Sequence, residues 1–499
     1  MGSLQALCLE QPNTGSDEGS ALTCSAIHRS MFLRRVSSGD GELTINLLCA
    51  MSLTGHSRDR MFGLAGSSRR REEVGEYVRG SLWVLPGIAA LAALVAGSVL
   101  SLVPVPRDGL LYKLVFQGTP DDARTLLIET AGTMISVVAL VLGLTVVALQ
   151  VASSQYSPRL LGNFLRDRPN QIVLSVFVAT FAYSMAGLYT VGISGGGRVE
   201  EFPRLAVTGA ILLLFASLGF LVYFIDHLAH SIQLNTIIDV VEQNTSVVIA
   251  HLPDTGETGA LAVPAHAVPI LAWRSGYIQS VHPEDLYEAA KAAQVVINLV
   301  PRVGDHVVEN TPIAWWWPDE SAHAGARVTE RLGEHLIGAI LVGGERTLLQ
   351  DAAFGMRQLV DIALKALSPA INDPYTAVMS VERLTALLAA LAPRRLGDIV
   401  LHDPEGPSRV VARFPTFADY VDLAIGQIRR YGASEPQVVY ALLRLLRVAG
   451  AQTRDSYRRQ VLAIHARLLL ADAERTICQL ADLAPLQSEG ETLLQALAG

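Results

Sequence analysis

The hydrophobic pattern divides the chain before any single residue does. From Leu82 to Val103 there is no charged residue, and three more apolar runs follow: Leu126 to Val151 with Glu129 near its entrance, Ile172 to Ile193 without charge, and Leu205 to Ile225, stopped by Asp226. At about 1.5 Å per residue each run covers the roughly 30 Å hydrocarbon core of a bilayer. A helix satisfies its own backbone polar groups in lipid. The pattern therefore predicts a four-helix transmembrane domain over residues 76–228, embedded in the lipid bilayer.

The pattern then changes twice. Asp226 to Leu252 keeps helical spacing through Ile232, Ile237, Val240, Val241 and Val248 until Pro253, Gly256 and Gly259 end it, which predicts a helical stalk and linker over 229–262. Short β-branched runs at Tyr277–Val281, Val295–Val300, His306–Val308 and Ile313–Trp317 predict strands, with a helix over Glu284–Gln294 between them. They make residues 263–330 a small β-rich segment. From 331 to 499 helices dominate, with an apolar stripe at Leu348, Ala352, Met356, Leu359, Ala363 and Leu367. Asp373 ahead of Pro374 predicts an N-cap, Gly432 suits a helix C-terminus, and Ser434 to Gln437 has capping-box spacing. Residues 1–75 show neither period and are expected to be a disordered extension, with Met51 and Met61 as alternative starts. The expected fold class is membrane α-helical: four transmembrane helices followed by a soluble α+β segment and an α-helical cytoplasmic domain.

Three stretches carry a resemblance. TMISVVALVLGLTVVALQVASSQYSPRLL in the second span, ERTLLQDAAFGMRQLVDIALKALSPAINDPYTA, and the SGYIQSV to RVGDHV region resemble the bacterial family of membrane proteins called domain of unknown function 2254. The similarity runs over roughly residues 80 to 490, most specifically at Ala366–Ala377, where Ser-Pro and Asn-Asp-Pro stand between two apolar helices. The resemblance implies several N-terminal spans and a soluble C-terminal region, and it brings no activity or catalytic residue with it.

Composition and charge narrow the partners. Half the residues are hydrophobic and the net charge is -8, with Lys and Arg scattered, which argues against a nucleic-acid partner. Cys478 is alone beyond the first fifty residues, compatible with a reducing compartment. Arg69, Arg70, Arg71, Arg79, Arg159, Arg166 and Arg168 flank one side of the spans, seven against the five of Arg107, Lys113, Arg124, Arg198 and Arg204. The positive-inside rule then favours cytoplasmic N- and C-termini in an inner (plasma) membrane.

Candidate chemistry is sparse. No metalloprotease His pair, nucleophile elbow, Walker loop or Cys-x-x-Cys occurs, so no catalytic residue, metal ligand or cofactor is expected. Gly195-Gly196-Gly197 reads as a turn. Asp226, His227 and His230 share a helix face at a membrane exit, where polar residues gather without a ligand. PRVGDHVV at 301–308 resembles the Gly-Asp turn of barrel-sandwich carrier domains, without their exposed lysine, and Trp315-Trp316-Trp317 is expected to pack. In the second span Glu129, Gly132, Thr133, Ser136, Gly143 and Gln150 lie within roughly 120° of one another at 100° per residue. This face is expected to pack against another helix, or to line a pore. In a helix expected from Glu345 onward, Arg346, Gln350, Arg357 and Asp361 form a polar stripe, a solvated face or an anion or partner contact. Ser368, Asn372 and Asp373 are expected to form a turn and a cap. Two functions compete: a homo-oligomeric pore or transporter-like protein for an ion or small solute with a cytoplasmic assembly or gating domain, and a membrane-anchored sensor or scaffold.

Overall fold

The computed structural model describes residues 81–103, 110–155, 167–193, 203–253, 262–318, 326–404, 406 and 408–498. The expected extension over 1–75, the Gly195–Gly197 turn, and Arg159 and Arg166 lie outside those residues. Among the described residues, four helices are long and apolar enough to cross a membrane: α1 (Val84–Leu102), α3 (Pro120–Gln155), α4 (Arg168–Ile193) and α5 (Arg204–Ser231), with a short α2 (Leu110–Leu114) before α3. Pro86 sits in the first turn of α1, where its missing N–H costs nothing. Thr119 opens α3 by accepting from the Asp122 amide while Asp122 accepts from the Thr119 amide and hydroxyl.

The four helices form a bundle with α4 at its centre, since 50% of its apolar window is buried against 17 to 22% in the others. Small residues allow the close crossings. A Cβ on Gly97 of α1 would lie 3.0 Å from both the Ala186 Cβ and the Tyr183 carbonyl of α4. Met134, Val141, Phe177 and Phe224 fill one end of the interior, and Leu127, Tyr183, Val207 and Ala210 the other.

After α5 the chain breaks its helix at Ile232 and Gln233, then resumes as α6 (Leu234–His251). The stretch expected as a stalk is not an isolated rod: Ile237, Ile238, Val241 and Ile249 of α6 enter the main helical core. There they meet α9 (Ala352–Ala366) and α10 (Pro374–Leu391), followed by α11 (Phe417–Gly432), α12 (Pro436–Ala451), α13 (Ser456–Thr476) and α14 (Leu480–Ala498). Arg394 donates to the carbonyls of Ile249 and Leu252, closing the end of α6, and Arg383 on α10 pairs with Asp239 and Glu242.

The β-module begins with β1 (Val268–Leu271), β2 (Gly276–Val281), α7 (Pro283–Ala293), β3 (Val295–Leu299), β4 (His306–Val307) and β5 (Pro312–Pro318). Its remaining strands come from beyond 330: α8 (Ala326–Ala339) leads into β6 (Ile340–Gly343), and β7 (Ile399–His402) and β8 (Ser408–Ala412) return from the far side of α10. The sheets run β1-β5-β3-β8-β7 and β4-β2-β6, antiparallel except where β3 lies parallel to β8 with Ile297 opposite Val410. Every residue of β3 is buried, as a central strand requires. The chain thus leaves the β-module for α9 and α10, re-enters it, and leaves again.

Candidate functional site

The expected polar face of the second span lies on α3, and its position is outward. Glu129, Gly132, Thr133, Ser136, Gly143 and Gln150 are all exposed in the single chain, whereas Leu127, Thr130, Ala131, Met134, Val141 and Ala148 are buried. The two sets are centred about 150° apart on the helix. Gly132 and Gly143 have open space where a side chain would stand. Thr133 and Ser136 donate to the carbonyls of Glu129 and Gly132 at 2.7 and 3.3 Å, so their hydroxyls are satisfied within the helix. The acid and the amide are then the strongly polar groups this face presents.

Most of the buried polar side chains inside the bundle belong to α4 instead. Thr180 and Ser217 share a hydrogen bond of 2.9 Å, and Ser175 and Ser184 donate to carbonyls one turn back. Both amide atoms of buried Asn170 lack a hydrogen-bond partner among the described residues. Sequence reasoning passed over these residues because single hydroxyls in an apolar run carry no charge signal. Their spacing, Asn170, Thr180 and Ser184 on the side of Val173 and Phe177, was the available sign.

At the membrane exit Asp226 and His230 stay together, with His230 Nδ1 3.5 Å from Asp226 Oδ1, while His227 turns to another helix. His227 Nε2 lies 2.6 Å from Asp167 Oδ2, tying the start of α4 to the end of α5, and His230 Nδ1 lies 2.8 Å from its own helix's Asp226 carbonyl. Tyr223 stacks on His227.

In the soluble region, the stripe expected on a helix from Glu345 is divided by the true helix start. Asp351 is the N-cap of α9, accepting from the Phe354 amide at 2.9 Å, so Arg346 and Gln350 precede the helix while Arg357 and Asp361 ride on it. Gln350 accepts from the Val281 amide at 3.0 Å and is spent on the β-module. Arg346 donates through Nε and Nη2 to Asp351 Oδ2 and lies over the Phe354 ring. Burial pushes the Asp351 carboxyl above the usual carboxylate range, against the pull of Arg346. The Gly304-Asp305 turn seats on this pair: Gly304 has φ +92°, and a Cβ there would strike Asp351 and Arg346. Arg302 reaches Asp419 of α11 at 2.9 Å across the same seam. Beside it a cavity of about 460 Å³ is lined by Tyr277, Arg346, Phe354, Arg357, Asp361 and Gln427.

The remaining candidates make local contacts. Ser368 donates to the Lys365 carbonyl, Asn372 takes the left-handed conformation at φ 50°, and Asp373 caps α10 through the Thr376 amide and hydroxyl. The capping box expected at Ser434 does not form: Pro436 occupies the first helical position, and Glu435 precedes it with no side-chain cap. Asp403, beside His402, accepts from Tyr287 at 3.0 Å and Arg409 at 2.8 Å, holding the β7–β8 hairpin to α7. The Arg409 hydrogen bond holds its carboxyl below the usual range. Trp316 and Trp317 are buried in the β-module, as packing residues. A larger cavity of about 720 Å³ lies among α10, α12 and α14, but Arg383 and Arg444 on its wall are engaged with acidic neighbours.

Comparison with known proteins agrees with this architecture. Uncharacterized proteins of Mycobacterium tuberculosis and Mycobacterium bovis are 43% identical over 423 residues, covering 83% of this chain and 80% of each relative. No solved structure matches. The family described as predicted membrane protein, domain of unknown function 2254, matches residues 79–448, and with its apolar bundle and mixed soluble region this chain belongs to that family.

Proposed function

We propose that the protein works as a homo-oligomer in the inner (plasma) membrane with both termini cytoplasmic. Ions or small solutes cross where the outer faces of α3 from several copies meet, and the cytoplasmic region assembles or gates them. One observation carries this reading: the small and polar face of α3 points away from its own bundle, with Glu129 and Gln150 at its two ends. A charged side chain facing lipid is costly, up to about 2.5 to 3.5 kcal/mol at the bilayer centre on insertion scales and less toward the ends, and Gly132, Ser136 and Gly143 would let a second helix approach. Apolar side chains cluster at both ends of the interior of a single bundle, and the hydroxyls between them are bonded to one another or to their own helix, so a route between copies suits this arrangement better than one through it.

That interior also favours a second reading, a membrane-anchored sensor or scaffold in which the bundle only locates the soluble region. Two measurements on purified protein separate the readings. The mass in detergent is expected to be a multiple of 53.5 kDa, and liposomes carrying the protein are expected to pass ions or a small solute faster than empty ones. A multimer without flux selects the scaffold, and a monomer overturns the α3 assembly.

A further inference from the structure

We propose that the cavity at the seam of the β-module and the helical region binds a small oxyanion, the carboxylate or phosphate group of a soluble molecule. This goes beyond the membrane reading and does not depend on it.

The walls come from separate parts of the chain. Tyr277 belongs to β2, Arg346 to the loop before α9, Phe354, Arg357 and Asp361 to one face of α9, and Gln427 to α11. Both guanidinium groups are oriented from behind. Asp351, only 2% exposed in its side chain, holds Arg346 through Nε at 2.9 Å and Nη2 at 2.7 Å, while Phe354 lies under its plane at 5.3 Å. Arg357 is held through Nη1 by Gln427 Oε1 at 2.6 Å. The Tyr277 ring is set edge-on to His306 at 5.0 Å. Side chains already fixed in place lose little freedom when a ligand arrives, and the planar fork of arginine matches the geometry of carboxylate and phosphate.

The rigidity of the seam has other sources. Arg302–Asp419 and the close seat of Gly304 join the two parts beside the cavity, whereas the Arg357–Gln427 bond runs between two helices of the same part. Asp361 gives the site a sign. Its carboxylate repels an anion bound near Arg357, so neutralising Asp361 tightens binding while neutralising Arg357 weakens it. A wall that merely packs would show no such opposition.

The test uses the full chain in detergent, titrated with inorganic phosphate and, separately, with succinate at constant ionic strength set by sodium chloride. A saturable rise in thermal midpoint is expected with at least one of the two, and which one identifies the carried group. Arg357→Gln is expected to weaken that binding about ten-fold, Arg357→Lys less, and Asp361→Asn to strengthen it several-fold. Gel filtration and the ligand-free midpoint establish that each variant is folded; should Arg357→Gln fail there, Arg357→Lys and Asp361→Asn carry the test. Midpoints that follow chloride as well as phosphate and succinate overturn the proposal. So does a change of affinity in the same direction for the Arg357 and Asp361 variants.

Discussion

Asp351 does two things with one carboxylate: Oδ1 accepts from the Phe354 amide and Oδ2 from Arg346. Losing a cap costs about 1 kcal/mol, up to about 2 where the site is well ordered, and Asn caps nearly as well as Asp. Asp351→Ala is therefore expected to lower the stability of the helical region by about 2 kcal/mol and Asp351→Asn by less than half of that, read from denaturant titrations of the full chain in detergent. Equal losses would mean that Arg346 pairing, rather than capping, is what the residue supplies. His465 on α13 gives a prediction in pH. Burial depresses its pKa, more than Asp422 raises it, and Arg429 depresses it further. The unfolded chain then takes up the proton first, near 6.5, so stability is full above that pH and is lost as pH falls through 6.5 toward the folded value. Thermal midpoints of the wild type are expected to drop between about pH 7 and 5.5, and those of His465→Gln to drop less. Parallel curves for the two proteins would remove His465 from the acid response.

Helices are where the sequence was most informative. Four apolar runs became four spans because backbone desolvation leaves lipid-embedded chain few alternatives. Asp373 before Pro374 gave a cap because both residues fix the same first turn. The losses have physical causes as well. β6, β7 and β8 are four or five residues long, and β6 and the β7–β8 hairpin join the sheets through strands far away in sequence, β2 and β3, so nothing local marks where they belong. The outward position of the α3 polar face depends on which side α4 and α5 occupy, which a single helix does not encode. The seam cavity joins Tyr277 to Gln427, and only the two visits of the chain to the β-module bring them together. One crossing can be tested directly. At Gly355 of α9 an added Cβ would collide with the Thr245 side chain of α6, and both residues are buried. Gly355→Ala is expected to cost about 1 to 3 kcal/mol by overpacking, and Thr245→Ala in the same chain to recover part of it. Additive losses in that double-mutant cycle would show that the two helices do not bear on each other there.

The whole molecule has two ends, and contacts assign the connections to them. Asp167 at the start of α4 meets His227 near the end of α5, and α5 runs on into α6 and the soluble region, so the start of α4 shares a side with the C-terminal half. At the other end the Arg204 side chain donates to the Phe116 carbonyl, which puts the entrances of α3 and α5 together on the opposite side. Arg168, in the first turn of α4, thus lies on the soluble region's side of the bundle, and the proposed orientation, with that side cytoplasmic, is the one the positive-inside rule expects. The geometry and the charge rule make separate claims, and one pair of reporter fusions tests both. A reporter inserted at Gly197 is expected to be exported and one at Gly499 to stay in the cytoplasm. Opposite compartments in the reverse order would keep the four-span bundle and reject the orientation. A shared compartment would reject the bundle itself, because an odd number of spans must separate the two positions when α5 crosses once.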